Sequence, residues 1–142
     1  MSDTTFVYAS RVESEELMLD DVTRLLDENK ISDELKRNIL LVISEAFNNA
    51  LIHGNSFDPA KEIVLRVVVN QTEIRADIID QGHGGLERVR AHQSPGVLDT
   101  HGRGINLIRH YADLVGFRED DQGRLEVTVR FERQTKNQRV QS

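Results

Sequence analysis

The segment from Ser32 to His53 constrains the fold of this chain more than any other part of the sequence. Ser32 is a typical helix N-cap residue, and two acidic residues follow it in the first turn, where negative charge is favourable. The pattern predicts one long helix to about His53, ended by Gly54 and Asn55. Its second half is apolar almost all round, through Ile39, Leu40, Leu41, Val42, Ile43, Ala46, Phe47, Ala50, Leu51 and Ile52. Other elements must therefore cover most of this helix.

Three polar residues interrupt the apolar surface of that helix at regular intervals. Glu45, Asn49 and His53 stand at i, i+4 and i+8, so they form one stripe along the helix. A carboxylate buried there without a partner would cost several kcal/mol, roughly. The stripe therefore indicates a pocket that holds water, a metal ion or a polar ligand. The alternative is that Glu45 and Asn49 face solvent at a helix edge or pair with an arginine.

A second informative feature is a predicted hairpin of strands at Glu62–Asn70 and Thr72–Asp80. In the second strand apolar and charged residues alternate, and a period of two places Asp80 on the inward face with the apolar set. Gly82 and Gly84 follow and let a ligand approach the backbone closely. An inward carboxylate suits a flat heterocycle with an exocyclic amine, such as adenine. Taken alone, an aspartate followed by glycines is also typical of a surface turn.

The third feature is the run HGRGINLIRH, which starts at His101. Gly102 and Gly104 flank Arg103 where a helix is expected to begin, near Arg103–Gly104. Free backbone N–H groups, the helix dipole and a guanidinium would meet there and favour an anion. A simple loop-to-helix turn is the alternative.

The remaining pattern predicts a single α+β domain over residues 1–142, with a core at about 5–133 and a polar tail at 134–142. The further elements are a strand at Thr5–Val12, a helix at Glu15–Glu28, an irregular stretch at Gln81–His101, and strands at Leu114–Arg118 and Leu125–Arg133. Strands and helices do not alternate strictly, so we expect an antiparallel or mixed sheet with helices on one face.

Composition excludes several classes of protein. A net charge of −6 argues against nucleic-acid binding, which needs a basic surface. The absence of cysteine excludes disulfides and thiolate metal sites. No apolar run approaches the roughly 18 residues that a membrane span requires, and the start MSDTTFVYAS is unlike a secretion signal. We therefore expect a cytoplasmic protein that contacts no membrane.

Together the runs SEAFNNALIHGN, DQGHGG and THGRGINLIRHYAD resemble the N, G1 and G2 boxes of the GHKL ATP-binding superfamily, which includes gyrases and histidine kinases. The short chain and the phrase HGNSFDPAKEIVL are similar to the anti-sigma factor serine kinases of the RsbW/SpoIIAB type. The resemblance covers roughly residues 32–131. It implies the Bergerat fold, a two-layer sandwich in which three helices cover one face of the sheet, with ATP between the helix layer and a flexible lid.

The resemblance also implies roles for individual residues. Asn49 would coordinate Mg²⁺, and Glu45 would be the general base. Asp80 would accept the adenine amine, with Gly82 and Gly84 as the pocket wall, and the lid would span 86–101. The phosphates would lie at Gly102, Arg103 and Gly104, beside Ile105, and His53 would stand next to the pocket. Glu45 and Asp80 must then face one enclosed space from opposite layers of the protein.

The implied function is an ATP- and Mg²⁺-dependent serine/threonine protein kinase that acts as an anti-sigma factor. It would phosphorylate a STAS-type anti-sigma factor antagonist, sequester a sigma factor and form a homodimer. The alternatives are a partner-switching module that binds ATP without transferring phosphate, and an isolated ATPase domain. One departure from gyrase-like relatives concerns Thr128. Those relatives place a threonine on the inner face of the last strand, whereas the alternation here points Thr128 away from the site.

Overall fold

The computed structural model describes residues 1–82, 85–91 and 100–133, with the side chains at 88, 90, 91 and 100–104 left aside. In chain order the elements are β1 (Ser2–Ala9), α1 (Glu13–Glu28), α2 (Asp33–Asn49), a π-helical turn (Ala50–Gly54), β2 (Glu62–Val69), β3 (Glu73–Ile79), α3 (Gly85–Ala91), α4 (Thr100–Tyr111), β4 (Leu114–Glu119) and β5 (Leu125–Glu132). The predicted α+β class is confirmed.

The five strands form one sheet in the order β1-β2-β3-β5-β4, and every neighbouring pair is antiparallel. The hairpin predicted from β2 and β3 is present, with Val64 opposite Ile79. Because side chains alternate between the two faces of a strand, one face of this sheet carries the apolar residues that meet the helices. Along β3 these are Ile74, Ala76 and Ile78, all at most 1% exposed.

The core lies between the helix layer and that apolar face. Helix α2 crosses its centre, and Phe47 on α2 is fully buried, with its ring edge-on to Tyr8 of β1. Burial, together with a 2.7 Å hydrogen bond that the Tyr8 hydroxyl donates to Asp21, raises the pKa of Tyr8. The phenol therefore stays protonated and joins β1 to α1. Among the described helices, none is both long and apolar enough to cross a membrane.

The N-terminus of α2 is as predicted, but its C-terminus differs. The Ser32 hydroxyl accepts a hydrogen bond from the Leu35 amide at 3.3 Å, which is an N-cap. The chain then leaves the helix through the π-helical turn and two left-handed residues, Ser56 (φ 52°) and Phe57 (φ 58°). The Phe57 amide donates to the Leu51 carbonyl at 2.9 Å and closes the turn. Gly54 therefore does not end the helix through a left-handed conformation, and its role lies elsewhere.

Three other boundaries differ from the sequence prediction. Strand β1 begins at Ser2 because its partner β2 pairs back as far as Val69, and it ends at Ala9, where the Ser14 hydroxyl binds the last carbonyl. The stretch predicted as irregular contains α3, whose Leu86 and Val89 pack into the core, and α4 starts at Thr100 rather than near residue 103. The described chain therefore has four helices rather than three. Glycine lowers helix propensity, but packing overrides that weak preference.

The other face of the sheet is polar, as is usual for an antiparallel sheet with one solvated side. Arg66 forms a two-pronged ion pair with Asp3, and Arg130 pairs with Glu73. Thr128 lies on this face and donates to Asp77 at 2.8 Å, so its side chain points away from the helix layer as predicted.

Candidate functional site

The polar stripe of α2 lines an open cavity. Glu45, Asn49 and His53 are all half-buried, and all three border one cavity of about 400 Å³. The last of the three lies in the π-helical turn that ends the helix. Such turns are rare and recur at functional sites. The structure therefore brings three of the predicted site residues together on one wall.

The surroundings of this wall are less buried than the sequence suggests. Leu41 and Ile52 lie on the same side of the helix and are 39% and 43% exposed, so the helix keeps a narrow solvated face. Next to it, Glu15 of α1 accepts hydrogen bonds from Ser44 at 3.0 Å and from Asn48 at 3.4 Å. This network fixes α1 against α2 at the edge of the cavity.

Asp80 lies directly after β3 and is only 3% exposed. Its Oδ1 accepts a hydrogen bond from the Gly82 amide at 3.0 Å. Its carboxyl group is in contact with Gly54 of the π-helical turn, so Asp80 is on the helix side of the sheet, as the strand period predicts. Asp80 is not among the described residues that line the cavity. That Glu45 and Asp80 share one enclosed space stays a prediction.

Two glycines make this contact between helix and sheet possible. A Cβ atom on Gly54 would overlap the Asp80 carboxyl group, and a Cβ atom on Gly82 would overlap the Gly54 carbonyl. Since every other residue has a Cβ atom, only glycine fits at these positions without moving the backbone. Gly54 is therefore required for a close approach of two chain segments.

Asn55 ties the same joint together with hydrogen bonds. Its side chain is fully buried, donates to the Glu62 carbonyl at 2.9 Å and accepts from the Gln81 amide at 2.7 Å. The Gln81 side chain in turn accepts from the Glu62 amide at 2.7 Å. Gln81 stands between Asp80 and Gly82, so Asn55 sets the position of the predicted adenine-binding segment relative to α2.

The other predicted site residues are placed less completely. Gly84 lies outside the described residues. Gly102, Arg103 and Gly104 fall within the first turns of α4. Because α4 begins at Thr100, only Gly102 of the three lies among the backbone N–H groups that lack helical partners. The Arg103 side chain lies outside the described part of the chain. Ile105 is 1% exposed and belongs to the core.

Sequence reasoning missed several residues of this region. Asn55 could have been identified from the sequence, because it is a polar residue directly after a buried helix end and its side chain needs hydrogen-bond partners there. Val12 and Glu15 at the start of α1 and Phe57 after α2 line the cavity, and no sequence pattern brings these two segments together. A second groove of about 370 Å³ lies at the other end of α2, and the described residues around it include none of the predicted site residues.

Comparison with known proteins gives the family. Residues 8–131 match the histidine kinase-like ATPase domain model. The anti-sigma F factors of Anoxybacillus flavithermus and Oceanobacillus iheyensis are each 32% identical, over 88 and 87 residues. Each match covers 58% of this chain and 59% of the relative, so the chain spans about three fifths of the length of these curated relatives.

Two solved structures share the fold. One contains the RsbU and RsbW domains of a Mycobacterium tuberculosis protein, with a TM-score of 0.70 and 16% identity over 95% of this chain and 34% of that one. The other is the SiaB-SiaC complex from Pseudomonas aeruginosa, with a TM-score of 0.59 and 15% identity over 92% and 89%. The family match spans nearly the whole described core and implies ATP binding. This chain therefore belongs to the histidine kinase-like ATPase domain family.

Proposed function

We propose that this chain is an ATP- and Mg²⁺-dependent serine/threonine protein kinase that works as an anti-sigma factor. One observation carries the proposal: Glu45 and Asn49 lie on the wall of an open cavity, on a helix whose end contacts the buried carboxylate of Asp80. The proposed base Glu45, the proposed cation ligand Asn49 and the proposed adenine acceptor Asp80 are thus all held by α2 and the turn that ends it.

ATP would lie with its base at Asp80 and Gly82, and with its phosphates toward α4. The exocyclic amine of adenine is a donor, and a buried aspartate is a strong acceptor for it. Gly102, Arg103 and Gly104 in the first turns of α4 would receive the phosphates, because the unpaired N–H groups of the first turn attract anions and Arg103 would add a positive charge.

The residues present fit Mg²⁺. The cation prefers oxygen ligands, and in phosphoryl-transfer sites it is usually held by one or two protein groups, the substrate phosphates and water. The Asn49 amide oxygen would supply the protein ligand, and the phosphates and water would supply the others. When bound, Mg²⁺ would neutralise charge on the phosphates.

In the transfer step, a serine or threonine hydroxyl of the acceptor attacks the γ-phosphorus of ATP. The new O–P bond forms as the bond to the β-phosphate oxygen breaks, and ADP leaves. Glu45 takes the hydroxyl proton, the role that a carboxylate plays in protein kinases. Asn49, one helical turn away, orients the phosphate group, and His53 supports the adjacent wall.

The partners follow from the relatives. Several of these relatives are anti-sigma F factors, and the fold is shared with an RsbW domain and with a protein in the SiaB-SiaC complex. The acceptor would accordingly be a STAS-type anti-sigma factor antagonist, and the unopposed protein would bind a sigma factor as a homodimer and so regulate transcription.

A phosphotransfer assay tests the proposal. The purified chain is mixed with a STAS-domain protein that it binds, Mg²⁺ and γ-labelled ATP. Wild type should label a serine or threonine, Glu45→Ala should bind ATP normally and transfer nothing, and the control Glu28→Ala at the exposed end of α1 should behave like wild type. A bound pair without labelled acceptor would refute the kinase and leave the alternative, a non-catalytic ATP-binding switch. Equal transfer by Glu45→Ala would refute the choice of base.

A further inference from the structure

An exposed apolar patch borders the cavity that contains Glu45. Val12, Ile52 and Phe57, here called the rim patch, line that cavity. Val12 precedes α1, and the other two belong to the turn that ends α2. They are 63%, 43% and 46% exposed. Exposed large apolar side chains that line one cavity are typical of an interaction site.

Phe57 stands in this patch at a cost in backbone energy. Its φ of 58° is left-handed, as is that of Ser56 before it. This conformation costs an L-residue roughly 1–2 kcal/mol, and glycine or asparagine would adopt it more readily. Burial does not compensate, because nearly half of the ring is exposed. Backbone preference does not favour phenylalanine at this position, and the core does not enclose its side chain.

The charges beside the patch are mainly negative. Glu13, Glu15 and Glu16 occupy the first turn of α1, directly after Val12, and Glu45 lines the same cavity. Arg11 is the nearest basic residue along the chain. A ligand that covers this surface should therefore combine an apolar side chain with positive charge.

We propose that the rim patch docks the segment of the acceptor protein that carries the reacting hydroxyl, through a large apolar side chain and an adjacent basic one. The inference rests on the proposed kinase function and adds the docking site and the chemistry of the substrate. An apolar anchor held on Ile52 and Phe57 would place the segment beside Glu45, where the hydroxyl loses its proton.

The geometry sets the spacing of the substrate motif. Ile52 follows Glu45 by two helical turns, which is about 10 Å along the axis. An extended chain covers about 3.3 Å per residue. In an extended substrate segment, the apolar anchor should therefore lie roughly three residues from the reacting serine or threonine.

Cysteine footprinting tests the docking site without requiring catalysis. The chain has no cysteine, so Val12→Cys and Ile52→Cys each introduce a single thiol while Phe57 is kept. Leu114→Cys is the matched control, since Leu114 is 52% exposed at the opposite edge of the sheet. The acceptor should slow maleimide labelling at 12 and 52 but not at 114. Protection at all three positions or at none would overturn the proposal.

A kinetic test uses Phe57→Asn, because asparagine tolerates the left-handed conformation and the turn should persist. The KM for the acceptor should rise at least about tenfold, as for loss of an aromatic anchor, with the KM for ATP and the kcat unchanged. Leu114→Asn should match wild type. A weaker Kd for ATP in Phe57→Asn would make the ring a nucleotide contact and overturn the proposal.

Two further outcomes separate this inference from the kinase proposal. If wild type binds the acceptor but transfers no phosphate, the kinase fails, and protection at 12 and 52 still decides the docking site. If the thiols become protected as the chain itself is concentrated, with no acceptor present, the patch is a contact between two copies of this chain and the inference fails.

Discussion

Replacing Asn55 by alanine should damage both stability and nucleotide binding, because its buried amide joins α2 to the segment that carries Asp80. The substitution leaves the Glu62 carbonyl and the Gln81 amide without their partner. Each buried group left unpaired costs about 1–3 kcal/mol. Both bonds are only part-buried, so we take the low end and expect a loss of about 2–3 kcal/mol in the free energy of unfolding.

The expected loss of ATP affinity follows from the same contacts. Without Asn55 the Gln81 amide loses its partner, and the bonds that remain from the Glu62 and Asp80 amides hold the segment less firmly. We expect Asp80 and Gly82 to shift together, because the Gly82 amide is bonded to the Asp80 carboxylate. A displacement of about 1 Å at this carboxylate would substantially weaken the hydrogen bond that we propose it accepts from adenine. We expect at least about a tenfold rise in the Kd for ATP, which is 1.4 kcal/mol.

Asn70→Ala is the matched control. The Asn70 side chain accepts bonds from the amides of Thr72 and Glu73 at 2.9 and 2.8 Å, but at the opposite end of β2 and β3. It should lower stability and leave the Kd for ATP unchanged. Urea unfolding and calorimetry with ATP, both at a temperature where each variant is folded, measure the two quantities. An Asn55→Ala protein with wild-type ATP affinity would refute the argument that this amide positions Asp80.

The remaining predictions concern neighbouring residues. Gly54→Ala should destabilise by about 1–3 kcal/mol, because its methyl group overlaps the Asp80 carboxyl; thermal unfolding checks this, and an unchanged melting temperature would contradict it. Asp80→Asn should reduce the preference for ATP over GTP, measured by calorimetry with both nucleotides. Asn49→Ala should abolish Mg²⁺-dependent nucleotide binding, whereas Asn48→Ala, whose side chain bonds Glu15, should retain it. Unchanged isotherms for either Asp80→Asn or Asn49→Ala would refute the role given to that residue.

Much of this fold could be predicted from the spacing of apolar and polar residues along the helices and strands alone. The alternation in β3 places Asp80 on the helix side, and the spacing of Glu45, Asn49 and His53 gives one wall of a cavity; both placements are found in the structure. These predictions succeed because a helix and a strand repeat with fixed periods, so the side on which a residue lies follows from counting.

Predictions that depend on contacts between distant segments were weaker. Glycine is the residue type that most often ends a helix, so Gly54 was expected to end α2. The left-handed residues that follow the helix are instead Ser56 and Phe57. The reason for glycine at position 54 is the Asp80 carboxyl group, which is distant in sequence. Helix α3 was not predicted for a related reason. It has only two apolar residues that pack on the core, Leu86 and Val89, and two residues are too few to indicate a helix from the sequence.

Two aspartates three residues apart, one in β3 and one directly after it, show why burial alone does not identify a binding residue. Asp77 is 4% exposed and Asp80 is 3% exposed. Asp77 faces away from the helices, where the Thr128 hydroxyl and Arg75, at 2.8 and 3.2 Å, satisfy it. Asp80 is an odd number of residues from Asp77 and therefore faces the helix layer. It contacts Gly54 there, and the absence of a side chain on Gly54 lets the two segments meet. A ligand held between the two layers can reach only the second carboxylate, so strand parity, rather than burial, selects Asp80 as the candidate for the nucleotide base.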